Sequence, residues 1–192
     1  MRKWIALLCS LALWLAAIPA RAEPVVYTGA SGFVLTLPAD WLPLIGGDDD
    51  EFDFFDHEEL EPGDVEALFS SSDGVMSVTV LWAEDTPVNP HAVDAVLGEA
   101  AMEARVGVIN GYQKQFYRYD ETNRRAFISY NLVDTEEDVP YVEYLVGFIT
   151  GSEIAQFLII AVRADELDAR FGLISEIVMN IDVGGVREGA EG

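Results

Sequence analysis

The segment Ile154–Arg163 constrains the architecture more than any other stretch of the chain. Ile154, Leu158, Ile160 and Val162 fall on one parity, Ala155, Phe157, Ile159 and Ala161 on the other, and both sets are apolar. Successive side chains of a strand point to opposite faces, so a strand of this pattern is buried on both sides. Layers must then pack above and below its sheet. The expected architecture is α+β, an antiparallel sheet covered by helices on both faces in an αβα sandwich.

The neighbouring sequence supplies the other elements. Gln113–Tyr119, Arg125–Asp134 and Tyr141–Ile149 have strand character and are joined to one another and to Ile154–Arg163 by polar or glycine-containing turns such as Thr150–Glu153, which predicts an antiparallel meander. Val65–Ser70 and Val75–Trp82 flank Ser71-Ser72-Asp73-Gly74, whose Asp-Gly pair suits a tight reversal and predicts a hairpin. Gly32–Leu37 reads as a strand stopped by Pro38, with Trp41 following to pack on the core. A helix is expected from Asn89 and Pro90, as N-cap and first turn, through Val93, Val96, Leu97, Ala100, Ala101 and Ala104 to Gly107. A second is expected from Asp165, a candidate N-cap, through Leu167, Phe171, Ile174, Ile177 and Val178 to Asn180.

The N-terminus has the form of a cleavable export signal. Arg2 and Lys3 precede an apolar stretch from Trp4 to Ile18, and Ala20-Arg21-Ala22 gives the small-x-small pattern for cleavage after Ala22. The 15-residue apolar stretch is short of the roughly 20 residues that span a bilayer, so no membrane insertion is expected after cleavage. Leu8 before Cys9 and the short distance from Lys3 speak against a lipoprotein. The expected organisation is a signal at 1–22, one domain at 23–183 and a loose tail at 184–192, in a periplasmic or secreted protein. Because Cys9 is the single cysteine, the mature chain has no disulfide and no thiolate ligand, and its stability rests on packing.

Removal of the signal leaves 8 basic against 34 acidic residues, a net charge of −26. A field of that sign repels phosphate backbones and anionic lipid, so nucleic-acid binding is not expected. The acids concentrate between Asp48 and Glu61, where they alternate with Phe52, Phe54 and Phe55. Two readings stand for this segment: a solvated acidic loop pinned by aromatics, or a weak divalent-cation site built from Asp48, Asp50, Asp53, Asp56 and Glu58. The EF-hand pattern is absent, because Phe54 or Phe52 falls where that loop needs a glycine or a ligand.

Common catalytic signatures are missing. Thr28-Gly29-Ala30-Ser31-Gly32-Phe33 is similar to a phosphate-binding turn, but Leu35 stands where the third glycine belongs and Pro38 where a helix should open. Ser31 lacks the frame of a nucleophile elbow. His57 and His91 are the only histidines, too few for a triad with spare partners or a multi-histidine zinc site. No catalytic residue and no metal ligand is assigned, and no cofactor is expected beyond a weak cation at the acidic segment.

The most informative polar feature is a cluster of cations. Lys114, Arg118, Arg124 and Arg125, half of the mature basic residues, lie beside Tyr112, Phe116, Tyr117 and Tyr119. Lys114 and Arg118 share strand parity, which predicts a face with two cations and aromatic neighbours, suited to an acidic partner protein or a small anionic ligand. The alternative is local pairing with acids such as Asp120 and Glu121. Lys114, Arg118, Arg124, Arg125 and Tyr117 are the candidate partner-binding residues.

The order of elements, Gly32–Pro38 with Trp41 after it, the strand pair ending at Ile154–Ala161, and the closing helix with Phe171, Ile174 and Ser175 together resemble the PsbP-like group, which includes the DcrB-like bacterial envelope proteins. The resemblance covers nearly the whole mature chain. It implies an αβα fold, an exported location, and a binding or accessory role without a catalytic motif, and the acidic Asp48–Glu61 segment departs from it. The expected function is a non-catalytic binding or accessory protein of the cell envelope. The alternative is a periplasmic hydrolase whose carboxylate site the sequence hides.

Overall fold

The computed structural model describes residues 23–45, 61–84, 86–106, 113–133 and 140–184, apart from the side chains of Leu132 and Val133. The expected signal at 1–22, the acidic segment up to residue 60, Tyr112 and the tail beyond Gly184 lie outside the described residues.

Among the described residues, seven strands form one antiparallel sheet and two form a smaller one. β1 (Val25–Thr28) and β2 (Val34–Leu37) pair with each other, so the strand expected over Gly32–Leu37 is found at Val34–Leu37, in the smaller sheet. The main sheet contains β3 (Leu42–Ile45), β4 (Val65–Ser70), β5 (Met76–Leu81), β6 (Gln113–Asp120), β7 (Arg125–Val133), β8 (Pro140–Ile149) and β9 (Ala155–Arg163), in the order β3-β4-β5-β9-β8-β7-β6. The last four strands are the expected meander, and β9 then pairs with β5 to join it to the expected hairpin. The turn of that hairpin places Gly74 at φ 68°, and Asp73 accepts the Val75 amide through Oδ1 at 3.2 Å.

The helical elements are α1 (Asp94–Leu97), α2 (Glu99–Val106) and α3 (Leu167–Met179), with short 3-10 turns at Pro90–Ala92 and Ala164–Glu166. Asn89 caps as expected, its Oδ1 accepting the His91 amide at 2.9 Å. The single helix expected up to Gly107 is instead broken at Gly98, whose backbone is extended at φ −63° and ψ 157°. A β-carbon there would lie 2.3 Å from the Asp94 carbonyl oxygen, so this break requires glycine. Asp165 does not cap α3; its carboxylate takes the Arg163 guanidinium at 2.6 Å, and Glu166 occupies the cap position without a side-chain bond. Asp165 falls inside the 3-10 turn that precedes α3, one residue before the cap position.

The two parities of β9 feed two buried clusters. Leu158, Ile160 and Val162 pack with Phe33, Leu35, Leu37, Trp41 and the α3 residues Ile174, Ile177 and Val178. Phe157, with Ala155 and Ile159, packs with Leu97 of α1, Met102 and Val106 of α2, and Ile128, Tyr130 and Leu145 of the meander. The small sheet is fixed to the chain beyond α3 by two backbone bonds, Val34 N to Asp182 O at 2.7 Å and Asp182 N to Val34 O at 2.9 Å. The fold is therefore α+β, a large antiparallel sheet carrying few helices. No helix among the described residues is long and apolar enough to cross a membrane.

Candidate functional site

The cation cluster is divided by a β-bulge. The β6–β7 register shifts between Lys114 and Phe116, so Lys114 stands opposite Tyr130 while Arg118 stands opposite Phe127. Tyr130 belongs to the Phe157 cluster and Phe127 packs on the other, which puts the two cations on different faces and corrects the shared parity expected from the sequence.

Most of these side chains are engaged within the fold. Lys114 Nζ bridges Glu99 at 2.9 Å and Glu103 at 3.0 Å, both on α2, and these bonds raise its pKa. The Tyr117 hydroxyl donates to the Leu97 carbonyl at the end of α1 at 2.7 Å, and burial raises the phenol pKa. Arg124 makes a two-pronged pair with Glu153, at 3.1 and 2.6 Å, which raises the guanidinium pKa and lowers that of the carboxyl. Both residues have positive φ, 49° and 63°, so the pair clamps two strained turns together. Arg125 donates to the carbonyls of Val178 at 2.8 Å and Ile181 at 2.6 Å, closing the C-terminal end of α3, while its buried Nε has no partner. Burial lowers its pKa, with Asp120 and Asp182 opposing. Arg118 stays exposed on β6, an edge strand of the sheet, two residues from the exposed Phe116.

Two carboxylates are drawn out of water elsewhere. Glu66 sits at a β4 bulge that places it on the same side as Ala67; its Oε1 accepts the Tyr27 hydroxyl at 2.7 Å and the Ala30 amide at 2.8 Å, and its Oε2 is buried without a partner. Burial, then the neighbouring Glu66 charge, pushes the Tyr27 phenol well above its ordinary range. Beside it the Ser31 hydroxyl donates to Gln156 Oε1 at 2.7 Å. Glu143 accepts the Tyr130 hydroxyl at 2.7 Å, and burial raises its pKa against that bond. No group of three or more His, Cys, Asp or Glu side chains is placed to hold a metal ion among the described residues.

A cavity lies beside the Phe157 cluster. It is a cleft of about 280 Å³ with Leu81, Ala155 and Phe157 in its lining from the sheet and Ala92, Ala95 and Val96 from the helical side. Backbone bonds hold the surrounding loops: Trp82 N to Asp64 O at 2.7 Å, Gly63 N to Trp82 O at 3.0 Å and Val88 N to Glu153 O at 2.7 Å. Among the described residues, the charged side chains in its lining are Arg105 and Glu84. The Arg105 guanidinium lies 3.9 Å above the centre of the Phe157 ring, a cation–π arrangement. Arg105 as a residue remains exposed, yet burial at its head lowers its pKa and the Glu84 charge opposes that change. Glu84 receives the Thr86 hydroxyl at 3.3 Å. Among the described residues Arg105 forms no ion pair, unlike Lys114, Arg124, Arg163 and Arg170.

Sequence reasoning missed this site. Arg105 lies outside the cation cluster, at the polar side of a helical stretch, and nothing in its spacing sets it apart from a solvated residue. The parity of Phe157 was legible; the ring's role as a floor for Arg105 depends on how α2 lies across the sheet.

The fold has known counterparts. The chain is similar to cyanobacterial PsbP (CyanoP) from Synechocystis sp. PCC 6803, with 13% identity, a TM-score of 0.53, and coverage of 84% of this chain and 93% of that one. Two further solved structures align with lower scores: protein PA94 from Pseudomonas aeruginosa, at 8% identity, TM-score 0.41 and coverage of 82% and 95%, and a point mutant of Mog1, at 10%, 0.44 and coverage of 85% and 97%. No family model and no curated protein matches the chain. The fold is thus PsbP-like, and at these identities the likeness concerns fold alone.

Proposed function

We propose that the chain is an exported, non-catalytic binding or accessory protein of the cell envelope, and that the Arg105 cleft is where it binds. In this reading it is periplasmic or secreted, its sheet lies between helical layers as in an αβα sandwich, and its relatives include the DcrB-like envelope proteins. The observation that carries the proposal is the cleft itself, a largely apolar hollow whose described lining includes the charged Arg105 and Glu84. The hydrolase alternative draws less support. Glu66 and Glu143, the carboxylates that burial removes from water, do not line the cleft, and Glu66 is engaged by Tyr27 and Ala30.

The test is capture of bound material from the native envelope by wild type and by Ala95→Trp, a change at an exposed cleft residue that fills the hollow and spares the core. Mass spectrometry of the captured material should show a component lost in the variant while circular dichroism is unchanged. Identical material from both proteins would remove the cleft from the proposal. Intact mass of the protein from the envelope fraction should correspond to a chain starting at Glu23; a retained signal would refute export by cleavage.

A second reading places a partner protein on the β6 edge, favoured by Phe116, which is 46% exposed beside Arg118. There Arg118→Ala would weaken the captured protein and Ala95→Trp would not.

A further inference from the structure

From the opposite charges of Arg105 and Glu84 in the lining of the cleft, we infer that its ligand is a small zwitterion with an apolar body, of the class of a free α-amino acid with an apolar or aromatic side chain. The inference rests on the cleft being the binding site.

The volume sets the size. At about 280 Å³ the cleft falls just under the roughly 300–1,000 Å³ of sites for drug-sized ligands, which suits an occupant of amino-acid dimensions. The lining sets the body. Leu81, Val96 and Phe157 offer apolar and aromatic surface, and Trp82 adds a second aromatic wall.

The charges set the head group. Arg105 presents a guanidinium held over Phe157 and unpaired with any carboxylate among the described residues, ready to receive a carboxylate in a two-pronged hydrogen bond. Glu84 lines the same cleft and is near enough to act on the Arg105 charge. A simple carboxylate would satisfy Arg105 but meet Glu84 and the field of a chain whose net charge is −26 once the signal is removed. A simple amine would be drawn by that field but meet Arg105. A molecule carrying an ammonium and a carboxylate on one carbon answers both groups and crosses the global field at no net electrostatic cost.

Calorimetric titration of the protein at physiological salt, with amide chemical shifts to locate binding, tests this with three probes of one shape: L-phenylalanine, 3-phenylpropanoate and 2-phenylethylamine. Phenylalanine should bind at least about tenfold more tightly than either analogue and shift resonances of Ala92, Val96 and Phe157, with both charges needed for full affinity. Arg105→Gln should abolish its advantage over phenylethylamine, and Glu84→Gln its advantage over phenylpropanoate. If one analogue binds as tightly as phenylalanine, or if the two substitutions leave the preference intact, the zwitterion assignment is wrong while the cleft remains a binding site. If none of the probes moves the cleft resonances, the zwitterion assignment is likewise overturned; the binding reading then falls with it only where Ala95→Trp also captures the same envelope material as wild type.

Discussion

The two buried clusters share β9 and are finished differently. On the side of Leu158, Ile160 and Val162, α3 and Trp41 pack with the β1–β2 hairpin, and Arg125 is bound to two carbonyls at the end of that helix. In the cluster of Phe157, Leu97 of α1 and Met102 and Val106 of α2 pack next to a cleft, and Arg105 rests on an aromatic ring instead of on acceptors. A cation with fixed acceptors holds the fold together. A cation laid beside open volume keeps its hydrogen bonds for water or for a ligand, and the contrast between Arg125 and Arg105 separates a structural charge from one available for binding.

The largest effects should come from truncating the clusters themselves. Ile177 and Met102 are both fully or almost fully buried, one under each finish. Large-to-small substitutions at such sites cost about 2–5 kcal/mol, depending on how far the surroundings can relax. Ile177→Ala should fall in the upper half of that range and Met102→Ala near its lower end, since cluster neighbours such as Leu97 and Phe157 are free to settle into the space Met102 vacates. Urea unfolding measures both, and equal costs would break the proposed difference in packing.

A smaller but sharper comparison uses the two arginines. Arg125→Ala removes two charge-assisted bonds to carbonyls, and a loss of about 2–3 kcal/mol is expected. Arg105→Ala removes a cation–π contact at an exposed residue and should cost no more than about 1 kcal/mol. Thermal and urea unfolding of the two variants decide the matter. Should Arg105→Ala be as damaging as Arg125→Ala, Arg105 is a structural residue and the cleft has lost its binding cation.

The sequence made one half of this comparison visible. Strand parity in Ile154–Arg163 separates the residues of the two clusters, and Asp73-Gly74 marks the β4–β5 turn, because period-two patterning and turn chemistry are local. The stop at Asn180 was legible for the same reason. The bulge at Lys114–Phe116 was not: one extra residue on one strand inverts the side to which Lys114 points, and no residue type there announces it. Nor was the use of Arg125, whose acceptors lie more than 50 positions further on. The cleft was invisible because it arises from where two helices end against a sheet, a relation between elements and not a property of either.

The smallest predicted effect sharpens the comparison through a carboxylate. Glu66, on the first side, is held by a hydroxyl and an amide; Glu143 pairs opposite Tyr130 of the second cluster, and burial raises its pKa above the ordinary 4.5 although the Tyr130 hydroxyl pulls it down. A carboxyl whose folded pKa lies above its unfolded value binds its proton more tightly when folded. Its contribution to stability is therefore present at pH below the unfolded pKa and is lost as pH rises through the folded one. Glu143→Gln keeps an oxygen to accept the Tyr130 hydroxyl and removes the charge. Its urea midpoint should match wild type in acid, where Glu143 is protonated anyway, and exceed it increasingly as pH rises toward neutrality. Taking the difference between the two proteins cancels the titration of the other acids. A variant less stable than wild type at neutral pH, or a difference that does not change with pH, would mean that burial at Glu143 is relieved by solvent and that the second side treats its carboxylate no differently from the surface.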